Sequence, residues 1–224
     1  MKLTWLGQAG IMLETDGKII LIDPYLSNSC QKLNPASYRR VPVDESFLKL
    51  TPDVIVCTHH HQDHYDEDTL DHYLKGENGV TVIVAPSCFS DVRKYGFKHN
   101  YVYFPPKTQW TEGNVRFSAV KAVHSDPEAI GIIIEAEGKK LYFTGDTLYN
   151  DEIFEQIPDG IDALFVVVNG VGTNMNMTDA RRFSQRVAPK KTVPLHMGML
   201  DDNSLASFTC DNAVIPEIYK EIVL

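Results

Sequence analysis

The sequence predicts an α/β (α+β) protein built as a four-layer αββα sandwich of two duplicated halves. Two observations point there. A hairpin pattern recurs as GIMLETDGK at residues 10–18 and GIIIEAEGK at residues 131–139, with five of nine positions identical and three conservatively replaced. Further along each half comes a near-continuous apolar run, then a loop, then a segment that reads as a helix. The order of elements repeats along with the hairpin.

In the first half, Asp16-Gly17 between two apolar runs makes residues 10–23 a β-hairpin. Residues 27–50 show no sustained strand or helix period, which is more often the mark of a functional loop than of a simple connection. The run DVIVCT at 53–58 lacks the alternation of a half-exposed strand and reads as a strand buried on both faces. Asp66 can cap a helix whose apolar positions are Leu70, Tyr73 and Leu74.

In the second half, the strand NVRFSAVKAV at 114–123 leads to a hairpin at 131–144 around Glu137-Gly138. DALFVVV at 162–168 repeats the buried run, and Thr178 is expected to cap a helix with Ala180, Phe183 and Val187 on one face. A last apolar strand runs into His196. Two such halves with helices outside pack sheet to sheet. That sets the loop after residue 58 and the loop 169–177 on one rim, in one domain spanning residues 1–224.

Composition narrows the function. Hydrophobic residues at 43% and charged residues at 23% are ordinary for a globular protein, while a formal net charge of −9 argues against nucleic acid as a partner. The apolar run at 163–168 is too short to span a membrane, and no long apolar run opens the chain, so neither a membrane nor export is expected. Cys30, Cys57, Cys88 and Cys210 show no paired spacing and read as reduced thiols of a cytoplasmic protein. A small-molecule substrate and a homo-oligomer remain compatible with this balance.

Residues 57–66 read CTHHHQDHYD, with four of the eight histidines inside six positions. A tag would sit at a terminus, whereas this cluster lies between a buried strand and a helix start. In chain leaving a strand, His59 and His61 point one way and His60 another. Asp63 and His64 follow and can face a second centre. The pattern offers two imidazoles to one ion and a carboxylate with an imidazole to another, a donor set that suits zinc and is acceptable to manganese or iron. Cys57 reads as packing, and His60, His72 and His99 as structural or solvated.

This HxHxDH motif resembles the signature of the metallo-β-lactamase superfamily, whose fold is also the αββα sandwich. The resemblance implies three further ligands. His124, in AVHSDPEAIG, stands where the family has the third histidine of the first metal. Asp146, in FTGDT, matches the aspartate that bridges both metals, and His196, in VPLHMG, matches the last ligand of the second. The implied metal set is therefore His59, His61, Asp63, His64, His124, Asp146 and His196. The opening WLG, the HSDPEAIG segment and the Asn-Gly loop before a Thr-capped helix are similar to short metal-dependent hydrolases related to ascorbate-6-phosphate lactonase. Those relatives often carry a histidine where Gln8 stands.

The resemblance implies a hydrolase with two divalent ions, zinc or manganese, roughly 3.5–4 Å apart. A hydroxide held there at neutral pH would cleave an ester, lactone or phosphoester of a small anionic metabolite. Asp63, beside it, is expected to relay protons as well as bind metal. Arg39 and Arg40, adjacent in the unpatterned loop, are expected to clamp the anion, and Asn169 and Asn174 to hold hydroxyls or an oxyanion. Two alternatives stand beside this: a mononuclear iron dioxygenase on the same fold, and a non-catalytic metal-binding protein.

Overall fold

The computed structural model describes residues 1–224. The first of two six-stranded sheets contains β1 (Lys2–Gly7), β2 (Gly10–Thr15), β3 (Lys18–Ile22), β4 (Val54–Cys57), β5 (Thr81–Val84) and β6 (Asn100–Tyr103), in that spatial order. The second contains β7 (Gln109–Glu112), β8 (Val115–Lys121), β9 (Ile130–Ala136), β10 (Lys139–Phe143), β11 (Ala163–Val167) and β12 (Lys191–Leu195), ordered from β12 across to β7. Six helices complete the fold: α1 (Ser29–Leu33), α2 (Glu45–Leu48), α3 (Glu67–Leu74), α4 (Pro86–Val92), α5 (Asp151–Phe154) and α6 (Met177–Val187). No helix is long and apolar enough to cross a membrane.

Both expected hairpins form, and their turns match. Asp16 and Gly17 have φ of 50° and 71°, and Glu137 and Gly138 have the same two values. Positive φ at both central residues is the turn whose twist fits flanking strands. The repeat is also one of topology. β4 joins β3 in parallel as β11 joins β10, with Ile20 opposite Val54 and Leu141 opposite Ala163. In both halves the next strand in the chain order of the repeat, β5 or β12, adds in parallel beyond that.

The unbroken apolar runs are explained by burial on two faces. Ile20, Ile22, Val54 and Val56 point into the 41-residue core between the sheets. Leu21, Ile55 and Cys57 point the other way, into a 15-residue cluster with Leu70, Tyr73 and Leu74 of α3 and Cys88 and Val92 of α4. Ala180 and Phe183 of α6 are fully buried against the core. Four layers result.

Two capping expectations change in detail. The N-cap of α6 is Asn176, not Thr178; its side chain accepts the amides of Thr178 and Asp179 at 2.8 and 3.0 Å. Asparagine outranks threonine at this position. Asp66 does stand at the N-cap of α3, but its carboxylate accepts the hydroxyls of Ser27 and Thr69 instead of helix amides. The stretch without periodicity holds only the short α1 and α2. The C-terminal residues close one side of the sandwich: Ala213 bridges Thr192 of β12, and Ile222 donates to the Leu3 carbonyl of β1 at 2.8 Å.

Candidate metal centre

Parallel strands deliver their C-terminal ends to one rim, and the candidate ligands follow those ends. His59, His61, Asp63 and His64 lie just beyond β4, Asp146 beyond β10 and His196 directly after β12, while His124 follows β8. Gly145, with φ of 58°, allows the approach between the halves. A Cβ there would stand 2.6 Å from the Ile130 carbonyl and 3.2 Å from the Thr58 side chain.

The seven side chains converge. Ligand atoms of His59, His61 and His124 lie within 4.8 Å of one another, and so do those of Asp63, His64 and His196. Asp146 stands between the two trios. Its Oδ1 is 3.4 Å from His64 Nε2, and its Oδ2 is 3.3 Å from His196 Nε2 and 3.9 Å from His124 Nε2. Nε2 of His64 and Nε2 of His196 face each other at 2.9 Å.

What orients the rings is mostly a residue the sequence reading missed. Asp23, buried at the end of β3, accepts the Thr58 amide at 2.8 Å and the Thr58 hydroxyl at 2.7 Å. It also accepts Nδ1–H of His64 at 2.8 Å, so that once the ring gives up its second proton Nε2 is the lone pair facing the centre. Because Thr58 Oγ1 spends its proton on Asp23, it can only accept from His59 Nδ1, 3.1 Å away, and His59 Nε2 is bare as well. Nδ1–H of His124 donates to the Thr173 carbonyl at 3.0 Å with the same result. Such outer partners fix tautomer and ring orientation in metal sites. The second half keeps the Asp23–Thr58 contact in neutral form, with Val167 N–H donating to Thr144 Oγ1 at 3.4 Å. The carboxylate appears only where histidines need orienting.

Four buried atoms of this site have no hydrogen-bond partner: His59 Nε2 and Asp146 Oδ1 on the ligands themselves, and Gln8 Oε1 and Asn174 Oδ1 on the amides that hold Asp63 and Asp146. An unmet buried acceptor costs about 1–3 kcal/mol, and a divalent cation is the group that satisfies an imidazole lone pair and a carboxylate together. The donor set fits a metal.

Electrostatics divides the trios. Burial holds His59 well below the ordinary imidazole range, and it lowers His61 too. Burial also works against protonation of His64 and His196, but the carboxylates of Asp146 and Asp63 overcome it, raising His64 well above its usual value and His196 to about 10. Burial would raise Asp63 and Asp146, yet the adjacent His64 and His196 keep both well below the carboxylate range. Burial thus favours neutral rings at His59 and His61, while Asp63, Asp146, His64 and His196 form a charged cluster.

The remaining expected site residues serve the ligands instead of reaching past them. Asn174 Nδ2 donates to Asp146 Oδ2 at 2.7 Å, and the Asn169 amide meets His196 Nδ1 at 3.0 Å. Gln8 Nε2 also faces His196 Nδ1, at 3.4 Å. Gln8, held at φ 48°, donates Nε2 to Asp63 Oδ2 at 2.8 Å. The arginine clamp expected from Arg39 and Arg40 is not formed. Arg39 is buried and donates to the carbonyls of Tyr25 and Val41 and to the Tyr219 hydroxyl. Arg40 donates to Asp202 and to three carbonyls, those of Ala36, Tyr38 and Leu200. A loop 24 residues long needs internal struts, and these two side chains are among them.

Comparison with known proteins agrees with this fold. A model of the beta-lactamase superfamily domain matches residues 18–197. A UPF0173 metal-dependent hydrolase of Staphylococcus saprophyticus is 32% identical over 215 residues, covering 88% of this chain and 85% of that protein. The solved structure of a possible metal-dependent hydrolase from Veillonella parvula superposes with a TM-score of 0.78 at 17% identity, over 100% of this chain and 99% of that one. An isothiocyanate hydrolase from Delia radicum gut bacteria gives 0.76 at 20% identity, over 100% and 99%. At these identities the two structures speak for the fold.

Proposed function

The chain belongs to the beta-lactamase superfamily, and on that footing we propose that it is a metal-dependent hydrolase of a small molecule, in one domain spanning residues 1–224. His59, His61 and His124 would hold one divalent ion, Asp63, His64 and His196 a second, and Asp146 would be shared. The observation that carries this is the convergence of the ligand atoms, within 4.8 Å of one another in each trio, around two that have no hydrogen-bond partner, His59 Nε2 and Asp146 Oδ1. Zinc or manganese suits the mixture of nitrogen and oxygen donors.

When bound, such ions supply an acidified water at neutral pH and polarise the bond to be cleaved, an ester, a lactone or a phosphoester. The chain does the rest. Asp23 and Thr173 keep the imidazole lone pairs inward, and Asn174 holds the shared carboxylate from behind. Asp63, anchored through Oδ2 by Gln8, is the carboxylate placed to take a proton and pass it on. Kinship with the branch related to ascorbate-6-phosphate lactonase is supported by the WLG opening and the HSDPEAIG segment. The four unpaired cysteines fit the reducing cytoplasm.

The test is metal analysis of the purified protein together with an ester, lactone and phosphodiester panel. Hydrolysis that requires added zinc or manganese and stops with a chelator supports the proposal. A protein that holds both ions and turns over nothing in the panel would be the non-catalytic metal binder instead.

A further inference from the structure

His124, Ser125 and Asp126 follow one another in the second half of the chain, between β8 and β9. The Asp126 carboxylate reaches across to the first half. Its Oδ2 accepts the His60 amide at 3.1 Å and the hydroxyl of Ser87 in α4 at 2.6 Å. Its Oδ1 accepts the Glu128 amide at 2.9 Å, and its own carbonyl accepts the Ala129 amide at 3.2 Å. A turn through Pro127 therefore fixes the side chain. The His60 amide belongs to the peptide that joins His59 to His60, one residue before His61. The His60 ring is fastened as well, with Nε2 2.9 Å from Asp91 Oδ2 and the Tyr65 ring stacked at 5.2 Å between centroids. Ser87 and Asp91 stand four residues apart in α4, so one face of that helix serves both contacts.

This grip bears on His61, the ligand of the first trio with the weakest orienting partner. His59 has Thr58 at 3.1 Å and His124 has the Thr173 carbonyl at 3.0 Å. His61 Nδ1 faces His124 Nε2 at 3.1 Å, and its other nitrogen meets Ser125 Oγ at 3.5 Å, the outer limit of a hydrogen bond. With so little holding the ring, the backbone must place it. His124 and the Ser125 amide are meanwhile tied to Thr173, within their own half. The first trio thus spans the two halves. Two bonds to backbone join the loops that carry it: Asp126 on the His60 amide, and the Ile130 amide on the Thr58 carbonyl at 3.0 Å.

We infer that Asp126 is a positioning residue for the first ion, setting His61 against His124 through the His60 amide, and that the second ion does not depend on it. The inference rests on the two-ion reading above. One oxygen, Oδ2, makes both bonds to the first half. An asparagine with its oxygen in that place keeps them and gives up only the Glu128 amide inside the turn. Alanine gives up all three.

Single-site proteins separate the two ions. His196→Ala keeps the first and His61→Ala the second, and competition with a fluorescent chelator reads the zinc affinity of each. Adding Asp126→Ala to His196→Ala should weaken zinc binding about 10–100-fold, the loss that follows removal of an outer partner. Adding it to His61→Ala should change the affinity by no more than about twofold. Asp126→Asn in the His196→Ala protein should recover most of the lost affinity. Should the alanine variant not fold, Ser87→Ala removes the helix anchor of Oδ2 and should weaken the first ion about threefold. First-ion affinity unchanged in the variant that folds, equal weakening of both ions, or no recovery with asparagine overturns the inference and leaves the two-ion reading standing. Zinc bound by neither single-site protein overturns that reading and the inference with it.

Discussion

Asp23→Asn is the substitution that separates orientation of the ligands from their mere presence. The asparagine keeps an oxygen for the Thr58 amide but puts an NH2 where Oδ2 stood. That group now donates to Thr58 Oγ1 and to His64 Nδ1, reversing two bonds of 2.7 and 2.8 Å. His64 must accept at Nδ1, so its proton moves to Nε2 and points at the metal position. Thr58, with its proton released, can donate to His59 Nδ1, and His59 Nε2 gains a proton as well. One atom change thus misdirects one ligand in each trio. Losing an outer partner costs about 10–100-fold in metal affinity, so each ion should weaken by roughly 1.4–2.7 kcal/mol. The metal-free protein loses two bonds to a buried carboxylate, each about 1.5–3 kcal/mol, and regains neutral ones near 1 kcal/mol. A net loss of about 1–4 kcal/mol lowers Tm by roughly 2–16 °C at this chain length. The assays are competition with a fluorescent zinc chelator and calorimetric melting of the metal-free protein. Asp23→Asn binding both ions with wild-type affinity would refute the tautomer argument, and loss of only one ion would refute its double reach.

Asp146→Ala should release more metal, measured by mass spectrometry, than His124→Ala or His196→Ala, because its two carboxylate oxygens lie beside ligands of both trios. The trios should differ in pH dependence: His59 and His61 are held below 6.5 by burial, so ion binding there persists as pH falls through 6.5, whereas the second ion must displace protons from His64 and His196 and should tighten from pH 6 to 9, with proton release seen by calorimetry in two buffers. For the metal-stripped protein, His196, raised from 6.5 to about 10, contributes stability present below pH 6.5 and lost as pH rises through 10, so its Tm should fall over that window while the loaded protein's does not. Arg39→Ala should cost about 3 kcal/mol of stability by urea unfolding through its lost buried hydrogen bonds and leave KM within twofold for any substrate found; a raised KM with unchanged stability would return Arg39 to the site.

The fold was legible because its devices are local. Asp-Gly and Glu-Gly between apolar runs dictate the two hairpins, and the doubly apolar strands announce burial on two faces before any contact is known. HxHxDH was legible for the same reason, since four donors within six positions need no tertiary information. His124, Asp146 and His196 came only through a family resemblance, for nothing near each of them in sequence marks it. Asp23 was missed although IILID shows a carboxylate directly after four apolar residues. Its meaning depends on Thr58 and His64, 35 and 41 residues away. The arginines misled because adjacency in sequence says nothing about whether donors are free. In the fold, Tyr219 and Asp202, over 160 residues on, take them. Thr178 misled by two positions because Asn176 competes for the same amides.

A two-ion centre built from seven side chains has a fixed stoichiometry, so the number of ions held by the intact protein reports on it. Native mass spectrometry of metal-stripped protein titrated with zinc should show two ions per chain, falling to one in His61→Ala and one in His196→Ala. A wild-type chain that saturates at one ion or none, or two ions retained in both variants, would contradict the account.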